Sequence, residues 1–548
     1  MRSFMKLSVW LIFSILWIGM ASCADKKVDD VKPEEFKRLH EKQVLHSDIL
    51  QKDMTYAVIL PPEYETSNDS YPVVYLLHGY GDNETAWYQG GNIQQYIDLY
   101  RNVSAAAIYV MPQGFNNYWV NRYNGQYNLM DFMVEELVPE IDRRFRTIKD
   151  AGSRAVMGYS MGAYGALVLA ARNPGTFRTA VVLSMSFRTD EQYIAEPSDV
   201  FNSQWGSVFG GIGTMGEARL TEHFKDHSPF HFFTKAADPS MSGQNYFIDC
   251  GDDEETLSVT CNELHELMRD QQVKHEYRMR NGAHDWDYWH KSLPEAFSYL
   301  GYAFRNLPYP DEDTTLSWLP QASNISFKQI SNLTGNIKMV HAANNSFFFA
   351  VILPEGYNTE TKNYPVIYMI HDTLGRNLQS PGEMSEATLG LSLLMNANIK
   401  KNRLPESIVI DIPYGLFPLD ETVMSDIIEL VEDNLRTYPN GKYAVIIGND
   451  KSGTITAQLA HDMPDQFNAC LLFDASIPEV PQFNGDIAWY LDITDEGSHY
   501  KEYNALYREL RERGIPHEFR VRQGLPEYNS FLKGLDNACI FITSKLKN

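Results

Sequence analysis

Ala155-Val156-Met157-Gly158-Tyr159-Ser160-Met161-Gly162-Ala163-Tyr164-Gly165-Ala166 reads as a buried apolar strand, a sharp turn at Ser160 and then a helix. Gly158-Tyr159-Ser160-Met161-Gly162 fits the pattern G-x-S-x-G, in which a strained strand-to-helix turn presents a nucleophilic serine. Glycine on either side of the serine is needed because a side chain there would strike the neighbouring strand or helix. Gly162, Ala163, Gly165 and Ala166 are small, so the helix can lie close to the sheet. Its N-terminus, with its partial positive charge, then points at Ser160. A working serine of this kind also needs a base, an acid and hydrogen-bond donors for an oxyanion.

The surrounding chain is long and acidic. Its 548 residues suggest two or three domains, and 44% hydrophobic with 13% aromatic residues indicate a globular protein with ample core. A formal net charge of −24 argues against nucleic acid, and against a folded surface that binds anionic membrane. The 5 cysteines are scattered, with neither disulfide-framework nor metal-ligand spacing, and no metal or cofactor is expected. At the N-terminus, Arg2 and Lys6 precede an apolar run from Leu7 to Ile18, which is short for a membrane span and right for a signal peptide. Met20-Ala21-Ser22 before Cys23 resembles a bacterial lipoprotein box. We therefore expect residues 1–22 to be a signal peptide, Cys23 to be lipidated as the mature N-terminus and 23–40 to be a tether. The expected location is the periplasm or the outer-membrane or cell surface of a bacterium.

Strands and helices alternate through the first half. Glu34 to Lys42 reads as a short amphipathic helix. Strands are expected at Thr55 to Pro62, Tyr71 to Leu77, Ala105 to Met111, Ala155 to Tyr159, Ala180 to Met185, Tyr246 to Cys250 and Glu276 to Met279, and helices at Asp131 to Phe145 and Leu257 to Gln271. Continuous apolar runs suit strands covered on both faces. The pattern predicts a mainly parallel, doubly wound α/β sheet over 41–306. Active-site groups in such sheets sit beyond the carboxyl ends of strands. Here those ends carry Ser160, the acidic cluster Asp252-Asp253-Glu254, His284 in Gly282-Ala283-His284-Asp285-Trp286, and the turn His78-Gly79-Tyr80-Gly81. The order serine, acid, histidine is that of α/β-hydrolases. His284 is the expected general base. One of Asp252, Asp253 and Glu254 would orient it, and the backbone N–H groups of Met161 and Tyr80 would stabilise the oxyanion. His78 reads as a brace for its turn.

Together these motifs, with Trp87 downstream of the His78 turn and Asp249-Cys250-Gly251 before the acidic cluster, resemble the esterase D-like family of α/β-hydrolases over roughly residues 40 to 306. That family includes feruloyl and acetyl xylan esterases, S-formylglutathione hydrolases, siderophore esterases and mycolyltransferases. The family's acid is usually an aspartate three residues after the loop glycine. Glu254 holds that position here, which favours Glu254 while leaving Asp252 and Asp253 open. Export sets aside the glutathione-linked relatives. Trp87-Tyr88-Gln89-Gly90-Gly91 looks most like feruloyl and acetyl xylan esterases, so Trp87 is taken as substrate-binding; the aromatics there, with Tyr118 and Trp119, would either stack on an acyl group or sugar or only pack the loops. The resemblance implies a serine esterase acting on feruloyl or acetyl esters of plant-type polysaccharides or oligosaccharides. Alternatives are a siderophore or other small-molecule esterase, and a non-catalytic glycan-binding lipoprotein.

After a Pro-rich linker over 307–323, residues 324–548 repeat the pattern. Phe349 to Pro354 echoes Tyr56 to Pro61, Tyr364 to His371 echoes Tyr71 to His78, and His517 to Arg522 echoes His275 to Arg280. The chemistry does not persist. Asp450 stands for Ser160, Lys451 for Met161, Asp372 for Gly79 and Pro526 for His284. A second α/β-hydrolase-type domain without hydrolytic activity is expected, either packed on the first as a structural partner or retained to bind glycan.

Overall fold

The computed structural model describes residues 37–235, 243–311, 337–342, 346–372, 386–439, 441–477 and 487–546. The expected signal peptide, Cys23 and most of the tether and linker lie outside these residues. In the first half, β1 (Leu39–Ser47), β2 (Lys52–Ile59), β3 (Val73–Leu77), β4 (Ile108–Pro112), β5 (Arg154–Tyr159), β6 (Thr179–Leu183), β7 (Asn245–Gly251) and β8 (Glu276–Arg280) lie in the order β1-β2-β4-β3-β5-β6-β7-β8. β1 and β2 are antiparallel to their neighbours, and the remaining pairs are parallel. Every residue of β3, β4, β5 and β6 is buried, as expected of strands covered on both faces.

The second half repeats the topology with β9 (Ile337–His341), β10 (Phe348–Ile352), β11 (Val366–His371), β12 (Ile408–Pro413), β13 (Ala444–Asn449), β14 (Ala469–Phe473), β15 (Ala488–Thr494) and β16 (His517–Arg522), in the order β9-β10-β12-β11-β13-β14-β15-β16. Both halves are thus mainly parallel, doubly wound α/β-hydrolase sheets. They also share one sheet. β8 pairs antiparallel with β16, with Met279 opposite Val521, so among the described residues the strands form a continuous 16-stranded sheet. The pairing removes two edges that would otherwise offer unpaired backbone groups.

Six helices bear on the sites and the seam: α1 (Met161–Arg172), α2 (Thr256–Asp270), α3 (Trp286–Phe304), α4 (Gly453–Asp462), α5 (Tyr500–Glu512) and α6 (Tyr528–Lys545). α1 is buried from Met161 to Ala171, and a β-carbon on Gly165 would lie 2.5 Å from the Trp119 side chain, so small residues set its depth. α3 packs Leu293, Phe297 and Leu300 into the first core. It is also tied to β7, where Asp249 accepts from the Tyr288 hydroxyl at 2.5 Å and from Ser292 at 2.6 Å. α2 meets α5 across the seam, where the Tyr500 hydroxyl donates to Asn262 at 2.6 Å and Lys501 pairs with Asp270 at 2.7 Å.

One expected element is corrected. The helix expected over Glu34 to Lys42 is absent from its described part, since Leu39 to Lys42 begin β1. Its residues pair with β2, and a register shift between His40 and Gln43 accommodates Lys42 at φ 52°. An edge strand with a bulge spaces its apolar side chains irregularly, which imitates a short helical period.

Candidate active site

Ser160 caps β5 with φ 57° and ψ −122°, a strained conformation for a residue with a β-carbon. Backbone contacts hold it there. Its N–H donates to the Leu183 carbonyl at 2.9 Å, and its carbonyl accepts from Ala163 at 3.1 Å and Ser186 at 3.1 Å. The flanking glycines are steric requirements. A β-carbon on Gly158 would lie 2.2 Å from the Gly162 carbonyl group, and one on Gly162 would lie 2.2 Å from the Leu77 carbonyl oxygen.

The loops after β7 and β8 bring Glu254 and His284 to this serine. His284 Nε2 lies 2.9 Å from Ser160 Oγ, and Nδ1 lies 2.7 Å from Glu254 Oε2. A carboxylate at Nδ1 keeps the proton on that nitrogen, so Nε2 is left to accept from the serine hydroxyl. The Glu254 side chain is fully buried, whereas His284 keeps 34% of its side chain exposed. Glu254 Oε1 accepts from the Gly251 N–H at 2.7 Å and from the Ser184 hydroxyl at 2.5 Å. Ser184 in turn accepts from Trp289 Nε1 at 2.8 Å. This support was not read from the sequence. Its one local signal is a serine just beyond the carboxyl end of β6, and Ser184 stands there at φ 57°.

Of the three acidic residues left open, Glu254 meets the histidine. Asp253 is exposed. Asp252 is buried rather than solvated, and it pairs with Arg520 of the second half.

Both backbone donors expected for an oxyanion adjoin the serine. Met161 is the first residue of α1, where an N–H has no carbonyl one turn back to bond. Gly79 is so close that a β-carbon on it would lie 3.3 Å from the Ser160 β-carbon, which sets the Gly79–Tyr80 peptide beside the nucleophile. His78 holds this turn. Its Nδ1 donates to the Gly79 carbonyl at 2.8 Å, and its Nε2 accepts from the Gly114 N–H at 2.9 Å. Burial lowers the His78 pKa, which favours the neutral ring this pattern requires. The Tyr159 hydroxyl fixes the far end of the turn by donating to Asp82 at 2.5 Å.

The aromatic expectations are corrected. Trp87 is 1% exposed, donates to the Leu77 carbonyl at 3.0 Å, and packs edge-on against Tyr159 and Trp286. It is core beneath the elbow and presents no face to a substrate. Tyr118 and Trp119 are also buried, the loop-packing alternative of the two expected for them. The aromatic rings open to solvent on these loops are Tyr80, Tyr123 and Tyr127.

The corresponding place in the second half keeps the turn, with Asp450, Lys451 and Ser452 in place of Ser160, Met161 and Gly162. Asp450 follows β13 at φ 45°. Burial and the neighbouring Asp372 carboxylate raise its pKa, and Lys451 pairs with Asp372 at 3.3 Å. Ser452 replaces the second elbow glycine, and its hydroxyl donates to the Ile370 carbonyl at 2.7 Å.

The fold and this arrangement define an α/β-hydrolase with serine-hydrolase geometry in its first half. Residues 47–300 match the family model described as Putative esterase, in keeping with the motif resemblance. An esterase of Mycobacterium tuberculosis is 37% identical over 129 residues, which are 22% of this chain and 27% of that one. The chain thus spans about a quarter of the length of such relatives. An acetyl esterase of Caldicellulosiruptor saccharolyticus is 23% identical over 267 residues, 46% of this chain and 95% of that one. An endo-1,4-beta-xylanase/feruloyl esterase of Xylanibacter ruminicola is 31% identical over 159 residues, 25% of this chain and 22% of that one. Among solved structures, a ferulic acid esterase aligns at TM-score 0.40 and 25% identity, over 48% of this chain and 98% of that one.

Proposed function

We propose that the first half hydrolyses carboxylic acyl esters with Ser160 as nucleophile, His284 as general base and acid, and Glu254 as the carboxylate that orients the imidazole. The observation that carries this reading is the hydrogen-bonded chain Ser160–His284–Glu254 at the carboxyl ends of β5, β7 and β8. Ser160 Oγ attacks the acyl carbon as its proton passes to His284 Nε2. The tetrahedral oxyanion is held by the Met161 and Tyr80 N–H groups, each worth on the order of a hundredfold or more in rate. The protonated histidine then gives its proton to the departing alkoxide, leaving an acyl-serine. Water, deprotonated by His284, cleaves that ester and restores the serine.

The acids we assign are acetyl or feruloyl groups, and the alcohols are sugars of plant-type polysaccharides or oligosaccharides. The acetyl esterase and the xylanase/feruloyl esterase among the relatives support this choice. We also propose that the protein is exported and held to a membrane through Cys23. The test is hydrolysis of an aryl acetate, methyl ferulate and acetylated xylo-oligosaccharide by the full chain beside Ser160→Ala. We expect turnover by the wild type alone. Equal rates for the two proteins would overturn the serine mechanism, and turnover confined to the small esters, with a feruloylated xylo-oligosaccharide refused as well as the acetylated one, would overturn the polysaccharide assignment.

A further inference from the structure

The loops carrying Glu254 and His284 are held from the second half as well as the first. Asp252, 4% exposed and two residues before Glu254, lies between donors from three segments. Its Oδ1 accepts from the Gly282 N–H at 3.2 Å, at the start of the His284 loop. Its Oδ2 accepts from the Phe519 N–H at 3.0 Å and from the Arg520 guanidinium, both on β16. The Asp252 carbonyl accepts from the Tyr507 hydroxyl at 3.0 Å and from Arg511 at 2.9 Å, both on α5. One carboxylate therefore joins the acid loop and the base loop to the edge of the inactive half.

The repeat supplies a matched contact on the other side of the seam. Leu183 pairs with Asp249 as Phe473 pairs with Asp492, which sets Asp495 at the position of Asp252. Asp495 accepts from the Gly524 N–H at 2.7 Å and from Arg278 of the first half at 2.9 Å. There the clasp steadies no catalytic group, because Gly497 and Pro526 stand where Glu254 and His284 do.

We propose that the second half is a built-in brace for the active site, with Asp252 and Arg520 as its positioning residues. The proposal rests on the esterase reading above. A buried carboxylate stripped of its cationic partner is costly and would draw the loop toward water. The loop cannot shift without moving Glu254 from His284, and a misplacement of about 1 Å costs roughly a hundredfold in rate.

The experiment measures kcat and KM for an aryl acetate with full-length wild type, Asp252→Asn, Arg520→Met, Arg520→Lys and Asp495→Asn, and hydrogen exchange of the peptides covering 251–254 and 281–285. We expect kcat to fall about thirtyfold or more in Asp252→Asn and Arg520→Met with KM within about twofold. Arg520→Lys should recover part of the loss, and Asp495→Asn should stay within about twofold of wild type. Both peptides should exchange faster in Asp252→Asn and not in Asp495→Asn. Wild-type kcat in Asp252→Asn, or an equal loss in Asp495→Asn, would overturn the brace. A wild type without ester turnover would sink the esterase reading by itself. The exchange pattern would then decide the brace, with unchanged exchange in Asp252→Asn refuting it and faster exchange at both loops upholding it.

Discussion

Asp450 stands beyond β13 as Ser160 stands beyond β5, with φ 45° against 57°. The second half has kept the turn, with Asp372 and Pro526 standing where Gly79 and His284 do. Restoring the serine alone therefore restores nothing. Ser160→Ala/Asp450→Ser should hydrolyse aryl acetate no faster than Ser160→Ala, because Pro526 offers no base and Asp372 occupies the turn that Gly79 leaves open. Measurable turnover by the double variant would show a latent second centre.

The elbow glycines are steric requirements. A β-carbon on Gly162 meets the Leu77 carbonyl oxygen at 2.2 Å, and that oxygen belongs to the backbone of a central strand. Gly162→Ala should destabilise by about 1–3 kcal/mol as an overpacked site. It should also lower kcat about tenfold or more by displacing Ser160. Thermal melting and steady-state kinetics on the same preparation would check both effects.

Glu254 and Ser184 should separate in magnitude. Glu254→Gln keeps the shape and removes the charge that holds the proton on His284 Nδ1, and should lower kcat by about a thousandfold or more. Ser184→Ala removes one of the hydrogen bonds that position Glu254 and should cost roughly tenfold. Asp253→Asn, on an exposed side chain, should stay within about twofold. Comparable losses in Asp253→Asn and Glu254→Gln would contradict the assignment of the acid.

The seam should be sensitive to acid. His275 is half-buried, its Nδ1 donates to the Val273 carbonyl at 2.7 Å, and burial lowers its pKa from 6.5 to about 4. Its neighbour His265, 2.7 Å away, is likewise lowered by burial. Above pH 6.5 these rings are neutral in the folded and unfolded chain alike and contribute no pH dependence. As pH falls from 6.5 toward 4, the unfolded chain gains protons that the folded chain does not, so stability is lost. For each such group the loss approaches about 1.4 kcal/mol per pH unit. The melting temperature should drop between pH 7 and pH 4.5, and His275→Gln should make that drop shallower. An unchanged slope would rule out His275 as a source.

The sheets of both halves were legible because buried parallel strands are continuous apolar runs, and the repeat aligned them twice. Ser160, His284 and the order of the loops were legible because glycine spacing marks strained turns. The aromatic reading failed at Trp87, since a tryptophan near a site motif has the same letter whether it lines a groove or fills the core under the elbow. Asp252 stayed open as a candidate acid because its partner Arg520 lies 268 positions away, and nothing local signals that pairing. The shared sheet was hidden for the same reason, since β8 carries no mark of which edge it will meet. Ser184 was missed because a lone serine after a strand has many ordinary uses.

The most direct test of the central claim is to treat the intact chain with a fluorophosphonate, digest it and locate the adduct by mass spectrometry. We expect a phosphonyl group on Ser160, none in the second half, and loss of labelling in His284→Ala. An unlabelled wild type, or labelling that persists in Ser160→Ala, would contradict it.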